Sequence, residues 1–130
     1  MALSLLRPVL LYDGECRVCR FAARSLVRLD RHDELAFLPL QDDAAQPLLA
    51  SLGEEERLAT WRLARPDGSL PGYGAGVPEL LRAMRLTRPA GRLLGLAPSG
   101  VLDTFYGLVA RNRGMLGRVV RDGPAPRRFP

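Results

Sequence analysis

Tyr12-Asp13-Gly14-Glu15-Cys16-Arg17-Val18-Cys19 joins a short apolar run to a segment of helical periodicity. The run before it, Pro8-Val9-Leu10-Leu11-Tyr12, ends at Asp13-Gly14, residue types that reverse a chain, and reads as a buried first strand. From Cys16 to about Arg31 the pattern is that of a helix. At 100° per residue, Val18, Ala22, Leu26 and Leu29 share one face. Arg17, Arg20, Arg24, Arg28 and Arg31 fall within an arc of roughly 80° on another. That basic stripe is expected to be a solvated face, the other reading being a dock for an anionic substrate or partner beside Cys16. Cys19 lies beside the apolar face, and Cys16 lies farther round, in the first turn.

Two thiols three residues apart at a helix start suit thiol–disulfide exchange. The first sulfur meets unpaired backbone N–H groups and the positive end of the helix dipole, which favour thiolate. Arg17 and Arg20 add positive charge there, and Glu15 opposes them. The second sulfur is within reach to attack a mixed disulfide. Cys16 is therefore expected to be the exposed nucleophile and Cys19 the shielded thiol that resolves. Asp13 has two compatible roles: accepting a proton from Cys19 or presenting the loop, and accepting backbone N–H bonds in the turn. A structural zinc needs four ligands. The only histidine, His32, stands about 20 Å along the same helix, so no metal is expected within one chain. The cycle requires no bound cofactor. A thiol phosphatase is excluded, because Ala22 and Ser25 stand where its arginine would follow Cys16 or Cys19.

Leu35-Ala36-Phe37-Leu38 reads as a second strand, parallel to the first across the helix. Asp42 and Asp43 offer caps for a helix to about Leu52, ended by Gly53. Leu58 to Ala64 reads as a third strand, Pro66-Asp67-Gly68 as a turn, and Ser69 to Tyr73 as a short, irregular fourth strand. Pro78 opens a helix through Leu86, residues 87–100 form a Gly/Pro-punctuated connection, and Val101 to about Arg113 forms another helix. This order predicts an α/β, thioredoxin-like three-layer fold. Its mixed sheet carries Cys-x-x-Cys at the N-terminus of the first helix, and a helical extension follows at the C-terminus. A single domain over 1–130 is expected, with a core at about 8–87, the extension at 88–118 and a flexible tail at 119–130.

Composition sets outer bounds. Hydrophobic residues make up 47% of the chain, ordinary for a globular protein. The longest apolar candidate, Leu93 to Ala110, is broken by Pro98, glycines and Asp103, so no membrane span is expected. The N-terminus lacks a basic region and a small-residue cleavage site, which points to the cytoplasm. All basic charge is arginine: residues 1–81 hold 9 Arg against 12 Asp and Glu, and residues 82–130 hold 10 Arg against Asp103 and Asp122. The basic C-terminal half contains neither cysteine nor histidine. It is expected to serve recognition of an acidic partner, apart from the exchange chemistry. Without interleaved aromatics it does not read as a nucleic-acid surface.

The stretch from Tyr12 to Cys19 resembles the signature of the DCC family, small thiol–disulfide oxidoreductases named for an Asp-x-x-Cys-x-x-Cys motif after the first strand. Phe37-Leu38-Pro39-Leu40-Gln41 resembles the family's second strand and its exit. Gly74-Ala75-Gly76 resembles the entry to its later helix. Asp103-Thr104-Phe105-Tyr106, running on to Ala110-Arg111-Asn112-Arg113, is similar to its C-terminal Asp-x-x-Tyr…Ala-Arg-Asn-Arg segment. The resemblance spans residues 9 to about 117. It implies a thioredoxin-like fold and a redox role for Cys16 and Cys19 toward a disulfide- or thiol-containing substrate. One departure from thioredoxins stands out: their cis-proline before the third strand has no counterpart in Glu54-Glu55-Glu56-Arg57-Leu58. The usual peptide-docking edge, and with it general disulfide reductase activity, is therefore not implied. The alternative to an enzyme is a redox-sensing or partner-binding module that uses the basic C-terminal surface. Tyr106 is expected to pack, with Arg111 and Arg113 pairing with acids of the first half, the other reading being a recognition surface that contributes to a substrate groove.

Overall fold

The computed structural model describes residues 5–129. Strand β1 (Val9–Tyr12) is the centre of a three-stranded sheet in the order β2-β1-β3. β2 (Ala36–Pro39) pairs with it in parallel, Val9 opposite Ala36 and Tyr12 opposite Pro39. β3 (Arg62–Ala64) pairs antiparallel, Val9 opposite Ala64 and Leu11 opposite Arg62. Every residue of β1 is buried, because both faces of the sheet are covered. Val9 and Leu11 point into a core with Leu38, Leu40 and Leu49; Leu10 and Tyr12 point into a second with Phe37, Leu63, Leu80 and Met84. This is the mixed α/β, thioredoxin-like arrangement, with the cysteines at the start of helix α1 (Arg17–Leu29).

Of the apolar face expected on α1, Val18, Ala22 and Leu26 front a cavity and Leu29 is exposed. Val18, Cys19, Ala22, Ala23 and Leu26 line that space, and among the described residues of α1 Ala23 alone is fully buried. Several boundaries differ from the sequence expectations for local reasons. Asp42 does cap, its Oδ1 taking the Ala44 N–H at 2.9 Å. The chain then forms two single 3₁₀ turns, Asp43–Ala45 and Pro47–Leu49, since Pro47 lacks the N–H a continuous helix needs. The third strand is confined to three residues, and a one-turn helix α2 (Glu54–Arg57) takes up the approach. The fourth strand is reduced to a bridge between Arg62 and Gly72. α3 (Val77–Arg82) is followed by α4 (Arg88–Leu94) inside the stretch read as an irregular connection. The last helix is two: α5 (Ser99–Arg111) and, after Asn112, α6 (Arg113–Val119).

Residues 120–129, expected to be a flexible tail, are docked. Arg128 bridges Phe37 on the free edge of β2, with N–H···O bonds of 2.7 and 2.9 Å. Its guanidinium reaches Asp30 at 2.5 Å and Asp33 at 2.8 Å, and Arg127 pairs with Asp42 at 2.8 Å. The Tyr12 hydroxyl donates to the Pro126 carbonyl. On α1, Arg20 donates to Gly123 O at 3.1 Å and pairs with Asp122 at 2.8 Å, while Arg24 donates to the carbonyls of Arg121 and Pro124. Two members of the arginine stripe thus clamp the tail rather than face open solvent. Two further arginines of the C-terminal half, Arg85 and Arg88, both meet Glu34 at the surface. Among the described residues no helix is long and apolar enough to cross a membrane.

Candidate dithiol site

Cys16 is the N-cap of α1, held in extended geometry (φ −95°, ψ 121°) with its N–H on the Asp13 carbonyl at 3.3 Å. Its sulfur accepts the N–H of Cys19 at 3.4 Å, the position an N-cap side chain takes toward the third residue of a helix. Both cysteines are free thiols and half-buried. Burial pushes the Cys19 thiol up from 9.0 to about 12. A hydrogen bond with Cys16 and the charges of Cys16 and Asp13 act in the same direction, and a side-chain hydrogen bond from Arg113 pulls it down.

The loop that presents Cys16 is pinned from the exit of β2. Asp13 Oδ1 accepts the Glu15 N–H at 2.9 Å and the Gln41 amide N–H at 2.8 Å, and Gln41 Oε1 accepts the Gly14 N–H at 3.0 Å. Arg20, one turn into α1, donates to Gly14 O at 3.1 Å. A side chain at Gly14 would stand 2.9 Å from Pro39 Cβ, so the loop sits directly on the end of β2. Asp13 takes up the structural role expected of it and also lines the cavity behind Cys19.

That cavity, about 230 Å³, lies between α1, β1, residues 58–61 and the end of α5. Leu58, Ala59, Thr60 and Trp61 form one wall of it, on the approach to β3. Thr60 is tied to the extension: its hydroxyl bonds the Tyr106 hydroxyl at 2.9 Å and accepts the Tyr73 N–H at 3.3 Å. The Tyr73 and Tyr106 rings meet edge to face, 6.1 Å apart. Asp103 accepts the Ala75 N–H at 2.9 Å, and a Cβ on Gly74 would lie 2.0 Å from the Leu102 carbonyl oxygen. The glycine-rich loop and the C-terminal motif, joined here by a bond across 28 residues of sequence, are therefore one contact. They carry no spacing pattern that joins them in advance.

Arg113 is the residue that sequence reasoning placed elsewhere. It does not pair with an acid of the first half but lines the cavity with Cys19. Burial works against its charge, yet the Cys16 and Cys19 sulfurs outweigh that and hold its pKa up. The expectation that the C-terminal half stands apart from the dithiol is corrected: Tyr106, Val109, Ala110 and Arg113 all line the cavity with Cys19. Arg111 points away, into an exposed patch with Val101, Phe105 and Leu108. Among the described residues no three His, Cys, Asp or Glu side chains converge as a metal site, and His32 is exposed.

A family model described as DCC1-like thiol-disulfide oxidoreductase matches residues 10–119. The protein YuxK of Bacillus subtilis (strain 168), named as uncharacterized, is 27% identical over 106 residues, covering 81% of this chain and 77% of its own. A chloroplastic DCC family protein of Arabidopsis thaliana, At1g52590, is 31% identical over 115 residues, covering 86% of this chain and 66% of its own. No solved structure matches the chain significantly.

Proposed function

The chain belongs to the DCC1-like thiol-disulfide oxidoreductase family, and from there we propose that it runs a Cys16–Cys19 dithiol–disulfide cycle on a thiol- or disulfide-containing substrate. The observation that carries this is the Cys16 sulfur at the cap of α1, 3.4 Å from the Cys19 N–H. Cys16 attacks a substrate disulfide, and one half of the substrate leaves as a thiol. Cys19 then loses its proton to Asp13 and attacks Cys16. The mixed disulfide breaks as the Cys16–Cys19 bond forms, and a separate thiol reductant returns the pair to the dithiol. Asp13 also holds the loop through Gln41. The cycle uses no bound cofactor and suits the cytoplasm, where thiols are kept reduced. The exposed arginines Arg92, Arg111, Arg118 and Arg121 favour encounter with an acidic partner.

The test is turnover in a glutathione-coupled assay with a small aromatic disulfide, alongside intact mass of the oxidised protein. The expected result is many exchange events per chain, lost in Cys16→Ser, with a trapped mixed disulfide in Cys19→Ser. A single exchange event per chain would make the pair a redox sensor instead, and no intramolecular disulfide at all would end the reading.

A further inference from the structure

Cys19 has a problem the cycle must solve. It resolves only as thiolate, yet it sits against an apolar cavity, beside a second sulfur and near the Asp13 carboxylate. Each of these disfavours a negative charge on its sulfur. A site that works must supply a cation at that sulfur.

Among nearby arginines, Arg20 is engaged by Asp122, by the Gly123 carbonyl and by the Gly14 carbonyl. Arg17 is exposed on the outer side of the first turn. Arg113 differs from both. It opens α6, which packs on α1 closely enough that a Cβ on Gly117 would lie 3.9 Å from Val18 Cγ2. Its Nε donates to the Ala110 carbonyl at 3.1 Å, which orients the guanidinium at the cavity rim. Among the described residues it makes no ion pair with a carboxylate, so no acid neutralises its charge at the cavity it shares with Cys19.

Resting on the dithiol cycle proposed above, we infer that Arg113 is the catalytic cation of the resolving step, the group that stabilises the Cys19 thiolate as it forms. The Cys19 proton passes to Asp13, and the sulfur attacks Cys16 Sγ. The Cys16–Cys19 bond forms, the bond from Cys16 to the substrate sulfur breaks, and the departing thiolate takes up the proton. Two electrons have then moved from the pair to the substrate. Arg113 neither gains nor loses a proton. The attraction between its guanidinium and the Cys19 sulfur, which share the cavity, grows as that thiol becomes an anion, which lowers the barrier rather than the ground state. The rim is solvent-exposed, so screening limits the gain to about tenfold and salt diminishes it.

The experiment reads Cys19 directly. In a Cys16→Ser background, the alkylation rate of Cys19 by iodoacetamide at fixed pH reports its thiolate fraction. Arg113→Gln is expected to slow it about tenfold, Arg113→Lys to restore much of the loss, and high salt to shrink the difference. In the two-cysteine protein, Arg113→Gln should slow release of an aromatic thiol from the Cys16 mixed disulfide by a similar factor. A purely structural role predicts the opposite sign, since loosened packing hydrates Cys19 and speeds its alkylation. Arg113→Met, which keeps the stem packed without the charge, serves where Arg113→Gln fails to fold. Unchanged or faster alkylation in folded variants overturns the assignment. Failure of the wild type to form a reversible Cys16–Cys19 disulfide would instead remove the cycle beneath it, so the two failures are distinct.

Discussion

Gln41 and Asp13, 28 residues apart in sequence, are joined by a 2.8 Å hydrogen bond, and the same Gln41 side chain turns back to take the Gly14 N–H. One amide therefore holds the first two residues of the turn that delivers Cys16 to α1. The loop's geometry depends on the end of β2, and a change there reaches the thiol without touching it.

Gln41→Leu removes both bonds while keeping the volume. It should destabilise the fold by about 1 kcal/mol, because the freed groups are partly solvated. It should also slow exchange at Cys16 several-fold by loosening the turn. Chemical denaturation and single-turnover exchange measure the two effects, and a slowed exchange with no loss of stability would place Gln41 in the chemistry itself.

The elevated Cys19 pKa has a pH signature. At neutral pH limited alkylation followed by mass analysis should label Cys16 ahead of Cys19. In the Cys16→Ser background, Cys19 labelling should climb roughly tenfold per pH unit and level off below the value of about 12 held in the two-cysteine protein, because Cys16 no longer raises it. The sign for stability follows from the same shift. The folded state holds the Cys19 proton where the unfolded state releases it, so this thiol's contribution is present below about 9 and is lost as pH rises toward about 12. Denaturation midpoints across that range check it, with Cys19→Ala as the reference that should lose the slope.

Arg128 meets Asp30, whose side chain is 0% exposed and also accepts the Glu34 and Leu35 N–H groups. Arg128→Ala leaves that carboxylate buried without its cation and opens the edge of β2. The expected cost is about 1–3 kcal/mol, below the full figure for a buried pair because Arg128 is itself partly exposed. Urea unfolding reads it, and a variant as stable as wild type would show that the tail adds nothing to the sheet edge.

Gly74→Ala should separate the 72–76 loop from α5, since the added methyl meets backbone at Leu102 that cannot yield. Tyr106→Phe is the milder probe, removing only the bond to Thr60 at a cost of about 0.5–1.5 kcal/mol. Both should increase amide hydrogen exchange across residues 99–119 ahead of the sheet. Exchange that instead rises first in β1 would contradict the contact's local role.

Several features were legible because they depend on near neighbours. The apolar run at residues 9–12, the turn residues Asp13 and Gly14, and the cysteines at a helix start needed no distant partner to be read. The break at Pro47 is also local, dividing a stretch whose hydrophobic pattern looks like one continuous helix. By contrast the arginine stripe on α1 could not be interpreted from its spacing. A solvated face and a clamp on a tail 100 residues away have the same sequence pattern.

The amino-acid sequence by itself determined that this is a mixed α/β chain with a dithiol capping its first helix. Strand periodicity, turn chemistry and the three-residue interval between Cys16 and Cys19 are set within about 20 residues of backbone. Tertiary structure alone decided which side chains surround those sulfurs. Gln41, Thr60, Tyr106 and Arg113 converge on one loop and one cavity because α5 and α6 fold back over α1 and the sheet. The electrostatics of Cys19 vary with distance in space, and a guanidinium 94 positions along the chain acts on its sulfur as a neighbour does.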